Sequence, residues 1–392
     1  MEFTVACNWD FDLLDKIDYP GVKSLFGGLP GTLISSGRPS FMLSSLSYED
    51  VKEYIKRVHS KGWKFDYNIN ATCLSNMEFS LEGYNKILKY IEQIVELGVD
   101  SLTISLPSLL EIVKKHFPHI KVKVSTFQKI NSVSMAQSFE DMGADAIMLS
   151  EHINRDFKLL SAIRKSIKAK IILVANVGCV YGCANIHSHP NNVSHESSGE
   201  HRSIFATGYY QSLCMINRVK NPVEFIKSRW IRPEDVGIYE DIGIDMLKIV
   251  ERSSTSQALG ERVKAYSERC YNGNLIDLLG QMPGGKHSIS RNVNSGVGIK
   301  GQEEMMKTAR FAKAFFIHEL SDLFYIDSNK IPEDFIKGFM ERDCSKLSCK
   351  TCNYCKKISD ECLTHADQKI IDDILKSMSD VKEEVLSGSI LY

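Results

Sequence analysis

The feature that most constrains the fold is a short phrase, Gly-x-Asp followed by an apolar run, which occurs three times. The copies begin at Gly98, Gly143 and Gly243. Each follows a stretch with helical periodicity, so the glycine is suited to end a helix and the apolar residues to begin a buried strand. Repeated passages from helix to buried strand are typical of parallel sheets. The repeat therefore predicts an α/β fold.

Eight predicted strands alternate with helical segments in the first part of the chain. The strands are expected at 3–7, 31–35, 64–70, 101–105, 121–126, 145–149, 171–176 and 246–250. The helices are expected at 48–60, 81–97, 107–117, 131–142, 152–167 and 254–272. Eight alternating strands favour a TIM-type (β/α)8 barrel over an open sheet.

The remaining segments suggest how the chain is divided. We expect the barrel over 1–280, with a loop rich in Cys and His inserted at 177–220. A Gly/Ser/Asn-rich linker at 281–301 would lead to a small helical, cysteine-rich unit at 302–392, which opens with a helix near 302–324. The N-terminus lacks the basic region of a signal peptide and no apolar run is long enough to span a membrane. We therefore expect a cytoplasmic protein without a membrane partner.

The eleven cysteines are unevenly distributed. In a reducing compartment, clustered thiols indicate metal binding rather than disulfides. The densest cluster comprises Cys344, Cys349, Cys352 and Cys355. Its last three members have the spacing with which ferredoxins bind a 4Fe–4S cluster. An iron–sulfur cluster is therefore favoured, with one structural zinc ion held by the same four thiols as the alternative.

A second group of thiols follows the strand predicted at 171–176. Cys179 and Cys183 flank a loop that contains Gly182, so they can reach one metal or one cluster; otherwise they are a pair of buried structural cysteines. Beyond them lie four histidines and a further thiol, which offer zinc ligands unless the loop is merely solvated. These residues are His187, His189, His195, His201 and Cys214.

Polar residues directly after the strands are candidates for substrate binding, because the reactive groups of TIM barrels lie there. The candidates are Asn70, Gln128, Glu151, Asn176 and Lys248. Arg252 is a candidate anion clamp and, with His187 and His189, a candidate catalytic residue. The alternative is that such residues cap helices. The net charge of -1 argues against a dominant electrostatic attraction to nucleic acid.

Several motifs resemble the collagenase-like peptidase family, family U32, over residues 1–280. They are the Gly-Ala-Asp and Gly-Ile-Asp strand entries, Val177-Gly178-Cys179 with Cys183, Trp230-Ile231-Arg232-Pro233-Glu234-Asp235, and Lys248-Ile249 with Arg252. The resemblance implies a TIM-like barrel. It also implies an oxygen-sensitive 4Fe–4S cluster with ligands at Cys179, Cys183 and Cys214, used in hydroxylating RNA bases or a quinone precursor without molecular oxygen.

The sequence departs from the family pattern at two points. The spacing Cys179-x3-Cys183 is unusual, and Glu251 replaces the glycine before the strand-end arginine. The fourth ligand is left open among Cys7, Cys73, Cys270 and the C-terminal thiols.

The leading hypothesis is therefore an iron–sulfur hydroxylase or other redox enzyme with one or two clusters. It would act on a small molecule, peptide or RNA base, with an electron-donor protein as partner. A metal-dependent peptidase, with zinc as the cofactor, and a non-catalytic maturation or scaffold subunit are the rivals. Whether the protein forms homo- or hetero-oligomers is left open.

Overall fold

The computed structural model describes residues 1–39, 43–44, 46–198, 204–280, 301–316 and 319–391. Of the predicted linker only Gly301 is described, and His201 also lies outside the described residues.

Eight parallel strands close into a barrel in which each strand pairs with its neighbours in sequence and the last pairs with the first. This confirms the predicted TIM-type fold. The strands are β1 (Glu2–Ala6), β2 (Val22–Gly27), β3 (Lys64–Ile69), β4 (Ser101–Ile104), β5 (Lys121–Val124), β6 (Ala146–Met148), β7 (Lys170–Val174) and β8 (Met246–Ile249). They are buried over most of their length, as expected of strands enclosed by helices.

The second strand was predicted in the wrong place. It lies at Val22–Gly27, between β1 and β3, rather than at 31–35. The prediction followed the apolar residues Leu33 and Ile34. Ile34 is fully buried, but its carbonyl accepts a hydrogen bond from the Thr32 hydroxyl in a loop. The prediction took a buried loop for a buried strand.

Helices surround the barrel and continue into the insertion. They are α1 (Leu13–Lys16), α2 (Tyr48–Ser60), α3 (Leu81–Glu96), α4 (Pro107–His116), α5 (Val133–Asp141), α6 (Phe157–Ser166), α7 (Ser188–Ser198), α8 (Ile204–Lys220), α9 (Val223–Lys227), α10 (Val236–Ile242), α11 (Ser256–Glu268) and α12 (Leu275–Leu278). The insertion at 177–220 is thus largely helical instead of a loop, because α7 and α8 pack on each other and α8 also packs on C-terminal helices.

The repeated Gly-x-Asp phrase forms the same joint three times at the N-terminal end of the strands. Gly98, Gly143 and Gly243 have φ of 88°, 95° and 92°, the left-handed conformation that ends a helix. The aspartate two residues later accepts the backbone N–H of a residue in the preceding strand. These bonds are Phe65 N–H to Asp100 (2.8 Å), Val122 N–H to Asp145 (2.9 Å) and Ile171 N–H to Asp245 (2.8 Å).

The C-terminal segment covers one side of the barrel. It comprises α13 (Gln302–Phe315), α14 (Leu320–Leu323), β9 (Phe324–Ile326), α15 (Lys337–Met340), α16 (Cys349–Cys352), α17 (Tyr354–Cys362), β10 (Leu363–His365) and α18 (Gln368–Leu386). The helix predicted near 302–324 therefore ends at Phe315. Apolar residues of both parts form one continuous core, and the Trp230 ring stacks on that of Phe335 with centroids 5.3 Å apart. The predicted domain boundaries stay a prediction.

Within the described ranges, no helix combines the length and the apolar character that a membrane span requires.

Candidate functional site

A pocket opens at the C-terminal end of the barrel strands, where TIM barrels hold their reactive groups. The loops after β2, β5, β6, β7 and β8 supply its wall, and α7 and α8 of the insertion close it. Its polar lining includes Arg38, Thr126, Lys129, Glu151, His152, Cys179, Cys183, Asn185, His189, Gln211, Cys214, Arg218 and Glu251.

Three thiols predicted as metal ligands share this pocket. Cys179 and Cys183 lie on the loop after β7, and α8 brings Cys214 to them from far along the chain. The Cys214 thiol hydrogen-bonds the Cys183 sulfur, which lowers the pKa of Cys183 to about 6 and raises that of Cys214. Burial raises the pKa of Cys179 to about 12, and the nearby carboxylate of Glu151 adds to the rise. The structure thus brings the three thiols to one pocket, and their role as metal ligands stays a prediction.

Two buried ion pairs flank the thiols. The Lys129 ammonium bonds the Glu151 carboxylate, and the Arg38 guanidinium makes two hydrogen bonds to Glu251, at 3.0 and 2.9 Å. Burial opposes ionisation of both acids, but the neighbouring cations outweigh it and lower each pKa to about 2. Both acids are thus carboxylates at neutral pH. Lys129 also adopts φ of 51°, a left-handed backbone that few non-glycine residues take.

His189 is a neutral base in the same pocket. Burial, together with the charges of Arg38 and Lys129, lowers its pKa to about 4. Its ring stacks on Tyr210 of α8, with centroids 5.5 Å apart. His187, the other predicted catalytic histidine, is not among the residues that line the pocket.

Three predicted substrate-binding amides are not among the residues that line the pocket: Asn176 and Gln128 bond backbone groups, and Asn70 bonds a side chain. The side chain of Asn176 accepts the Val250 N–H at 2.8 Å and donates to the Leu278 carbonyl at 3.0 Å. Asn70 donates to the Ser125 hydroxyl, and Gln128 donates to the Ser105 carbonyl. These contacts engage both ends of the Asn176 amide, whereas the buried side-chain oxygen of Asn70 has no hydrogen-bond partner among the described residues. A role of these amides in substrate binding stays a prediction.

The two predicted cations at the end of β8 are buried. The Arg252 guanidinium donates to the hydroxyl and carbonyl of Ser36 and does not line the pocket. Lys248 lies inside the barrel, with its ammonium 3.7 Å from the centroid of the Phe26 ring and 3.6 Å from the Met148 sulfur. Burial lowers the pKa of Lys248 to about 7. Of the predicted substrate-binding residues, only Glu151 lines the pocket.

A second pocket is lined by the four clustered C-terminal thiols, Cys344, Cys349, Cys352 and Cys355. Tyr181, which lies between Cys179 and Cys183 in sequence, also lines it. One loop therefore contributes side chains to both thiol pockets.

The remaining candidates for a fourth ligand lie elsewhere. Cys7 is buried in the core, Cys73 lines a third pocket and Cys270 is exposed. The described residues contain no disulfide. Within them, no group of three or more His, Cys, Asp and Glu side chains is already arranged around a point where a metal ion would fit.

Sequence reasoning missed the cations of the first pocket. Arg38, Lys129 and Arg218 lie outside any recognisable motif, so no sequence signal identified them. Glu251 was visible as a departure from the family pattern, but its partner Arg38 could not be inferred from it.

Comparison with known proteins supports the resemblance. Residues 36–181 match the model of peptidase family U32. An uncharacterized protease of Methanocaldococcus jannaschii is 26% identical over 341 residues, which cover 86% of this chain and 88% of that protein. The tRNA hydroxylation protein P of Escherichia coli is 24% identical over 125 residues, which cover 31% of this chain and 26% of that protein. A solved U32 peptidase aligns over 64% of this chain and 93% of its own, with 18% identity and a TM-score of 0.49.

Proposed function

We propose that this chain, which belongs to peptidase family U32, is an iron–sulfur enzyme that hydroxylates or otherwise oxidises or reduces an organic substrate without molecular oxygen. The observation that carries the proposal is the meeting of Cys179, Cys183 and Cys214 in one pocket at the barrel mouth. Thiolates are the usual ligands of iron–sulfur clusters. The similarity to a tRNA hydroxylation protein supports hydroxylation as the reaction class.

The chemistry of the donor set fits such a cluster. Three thiols come from two distant segments, and neutral His189 is a nitrogen donor in the same pocket. The side chains would have to turn toward a common centre, since they do not yet surround one. When bound, the cluster would supply electron transfer and an iron with an open position.

The surrounding residues would prepare the pocket for that chemistry. Lys129, Arg38 and Arg218 bring positive charge to the thiols, which favours their thiolate form. Glu151 and Glu251 hold two of these cations in place. His189 can accept a proton on its imidazole, because it is neutral near pH 7.

Apolar side chains at the pocket help to exclude water from the reacting groups. Val174, Val177, Val180, Ile186 and Val193 share the lining with the thiols. A pocket of this kind suits a small molecule, a peptide side chain or a single unstacked RNA base. The nearly balanced charge of the chain gives no particular support to a long nucleic-acid footprint.

The test is the metal content of protein purified without oxygen, together with its visible absorption. The full chain is compared with the Cys179→Ala, Cys183→Ala and Cys214→Ala variants. Cys270→Ala serves as the matched control because Cys270 is an exposed thiol outside both pockets. We expect each of the three variants to lose iron and sulfide that the control retains. Equal iron and sulfide in all four variants would contradict the proposal.

A metal-dependent peptidase is the second candidate, favoured by the name of the Methanocaldococcus relative and by His189 beside the thiols. Zinc instead of iron in the same preparation, lost in the Cys183→Ala variant and accompanied by peptide cleavage, would replace the first proposal with this one. A cluster that is present but supports no turnover on any substrate class would favour the scaffold hypothesis.

A further inference from the structure

Four thiols of the C-terminal segment meet in the second pocket, which the proposed reaction does not use. Cys344 lies in the loop after α15, Cys349 and Cys352 begin and end α16, and Cys355 lies in α17. Cys344, Cys352 and Cys355 are partly buried and Cys349 is exposed. The cluster is therefore close to solvent, where a metal can enter.

A left-handed turn at Asn353 brings the third thiol of the Cys-x2-Cys-x2-Cys run to the others. In one continuous helix, residues three apart share a face, whereas the residue six positions on points well away. Here α16 ends after Cys352, Asn353 takes φ of 53°, and α17 begins at Tyr354. Asparagine tolerates this conformation better than most residues. The turn thus redirects Cys355 into the pocket that holds Cys352.

Basic side chains of both the barrel and the C-terminal segment lie at this pocket. Arg229 hydrogen-bonds Cys344, and its charge and that of Arg155 act on Cys355. Lys227 and Arg342 are also in the lining. Four thiolates around one divalent metal or one cluster carry net negative charge, so cations in the wall favour the bound state.

The pocket shares a wall with the first one. The guanidinium carbon of Arg229 lies 3.7 Å from the centroid of the Tyr181 ring. The Tyr181 centroid is in turn 5.7 Å from that of the His152 ring, and His152 lines the first pocket. A ligand in the second pocket would therefore fix the loop that carries Cys179 and Cys183.

We propose that Cys344, Cys349, Cys352 and Cys355 form a second metal site, which binds a thiophilic metal as a zinc ion or an iron–sulfur cluster and fastens the C-terminal segment to the barrel. Four thiolates are the shared chemistry of both ligands. The proposal stands independently of the reaction assigned to the first pocket.

The first test is metal content per chain in the full-length protein and in a Cys352→Ala/Cys355→Ala double variant, with Cys270→Ala as the control. We expect the double variant to lose one complement of metal, while the complement that depends on Cys179 and Cys183 remains. Loss of iron with sulfide identifies a cluster, and loss of zinc identifies a single ion; both support the site. Metal content equal to that of the control would overturn it.

A second measurement needs no variant and serves if the double variant does not fold. The native protein is alkylated before and after chelation, and each cysteine is followed by mass spectrometry. We expect Cys349 and Cys352 to be protected at first and labelled several-fold faster after chelation, whereas exposed Cys270 is labelled at the same rate throughout. Rapid labelling of Cys349 before chelation would overturn the proposal.

Discussion

At the scale of single residues, Lys248 is a buried cation without a carboxylate partner in the described part of the chain. Its ammonium lies inside the barrel against an aromatic ring and a thioether, and no carboxylate forms an ion pair with it among the described residues. Burial, together with the charges of Arg252 and Lys123, outweighs the attraction of Asp66 and lowers its pKa from 10.5 to about 7. The folded protein therefore holds the charged form at a cost.

We expect Lys248→Met to raise the free energy of unfolding at pH 6, by roughly 2 kcal/mol. The gain should shrink as the pH rises above 7. Between pH 7 and pH 10.5, Lys248 is protonated in the unfolded wild-type chain but neutral in the folded one. Raising the pH in this range therefore increases the free energy of unfolding of the wild type. The variant has no such group, so its free energy of unfolding lacks this increase.

Urea unfolding at pH 6, 8 and 9 measures the effect. Lys264→Met, at an exposed position of α11, is the control and should show no such pH-dependent difference. A constant difference between wild type and Lys248→Met across these pH values would contradict a lowered pKa.

Among the residues of the first pocket, the cysteines could be predicted from the sequence and the cations could not. Cysteines are rare and reactive, so their clustering was visible, and Cys214 could be joined to the other two thiols only through the family resemblance. Arg38 and Lys129 reach the first pocket because of how the loops at the barrel mouth are arranged, and no local sequence pattern indicates that arrangement.

At the scale of elements, the aspartate of the Gly-x-Asp joint explains why this phrase recurs. Each aspartate accepts the backbone N–H of a residue in the preceding strand. It also pairs with a basic residue of the helix that comes before that preceding strand. The pairs are His59 with Asp100, Lys114 with Asp145 and Arg164 with Asp245. One side chain therefore links a helix, its following strand and the next strand.

Replacing one of these aspartates should destabilise the barrel. We expect Asp245→Ala to cost about 1–3 kcal/mol, because it leaves the Ile171 N–H and the Arg164 guanidinium without their partner. Asp245→Asn keeps an acceptor and should cost less. Thermal unfolding measures both, with exposed Asp241→Ala as the control; equal effects of Asp245→Ala and Asp241→Ala would contradict this role.

The glycine of the joint can be tested in the same way. Gly243→Ala places a Cβ on a residue with φ of 92° and 3.2 Å from the Arg164 side chain, so we expect a loss of about 1–2 kcal/mol. Gly237→Ala is the matched control within α10, where alanine should be neutral or slightly stabilising. A Gly243→Ala variant as stable as the wild type would contradict the requirement for glycine at this position.

Elements with regular periodicity were predictable and irregular ones were not. Helix α2 spans the predicted residues 48–60 with Ser47 as its N-cap, and α3 begins and ends within one residue of its prediction. By contrast, β2 is preceded by a tight turn at Gly21 and followed by a buried loop, so its apolar residues do not stand out from their surroundings. The helices of the insertion likewise depend on packing against one another and against C-terminal helices.

At the scale of the whole molecule, Arg155 joins the barrel to the C-terminal segment. Its guanidinium donates to the carbonyls of Ile226 and Trp230 and lies between 4.5 and 4.8 Å from the ring centroids of Trp230, Phe335 and Phe339. A buried cation held in this way stabilises the fold only while all its partners are in place.

We expect Arg155→Lys to lower stability by about 2–4 kcal/mol, because lysine cannot reproduce the planar contacts or the fork of donors. It should also speed proteolytic removal of the C-terminal segment. Arg269→Lys, in an exposed ion pair with Glu240, should change stability by less than about 0.5 kcal/mol. Cleavage at the wild-type rate would show that the segment is held by other contacts.

The pairing of β1 with β8 has a consequence for biosynthesis. Because Phe3 of β1 pairs with Leu247 of β8, β1 cannot complete its pairing until the ribosome has synthesised nearly all of the barrel. Until then β1 presents an open edge to which other strands, or other chains, can add. The cysteine-rich segment leaves the ribosome after the barrel strands and meets a folded surface, so loading of its thiols with metal would follow barrel formation instead of starting it.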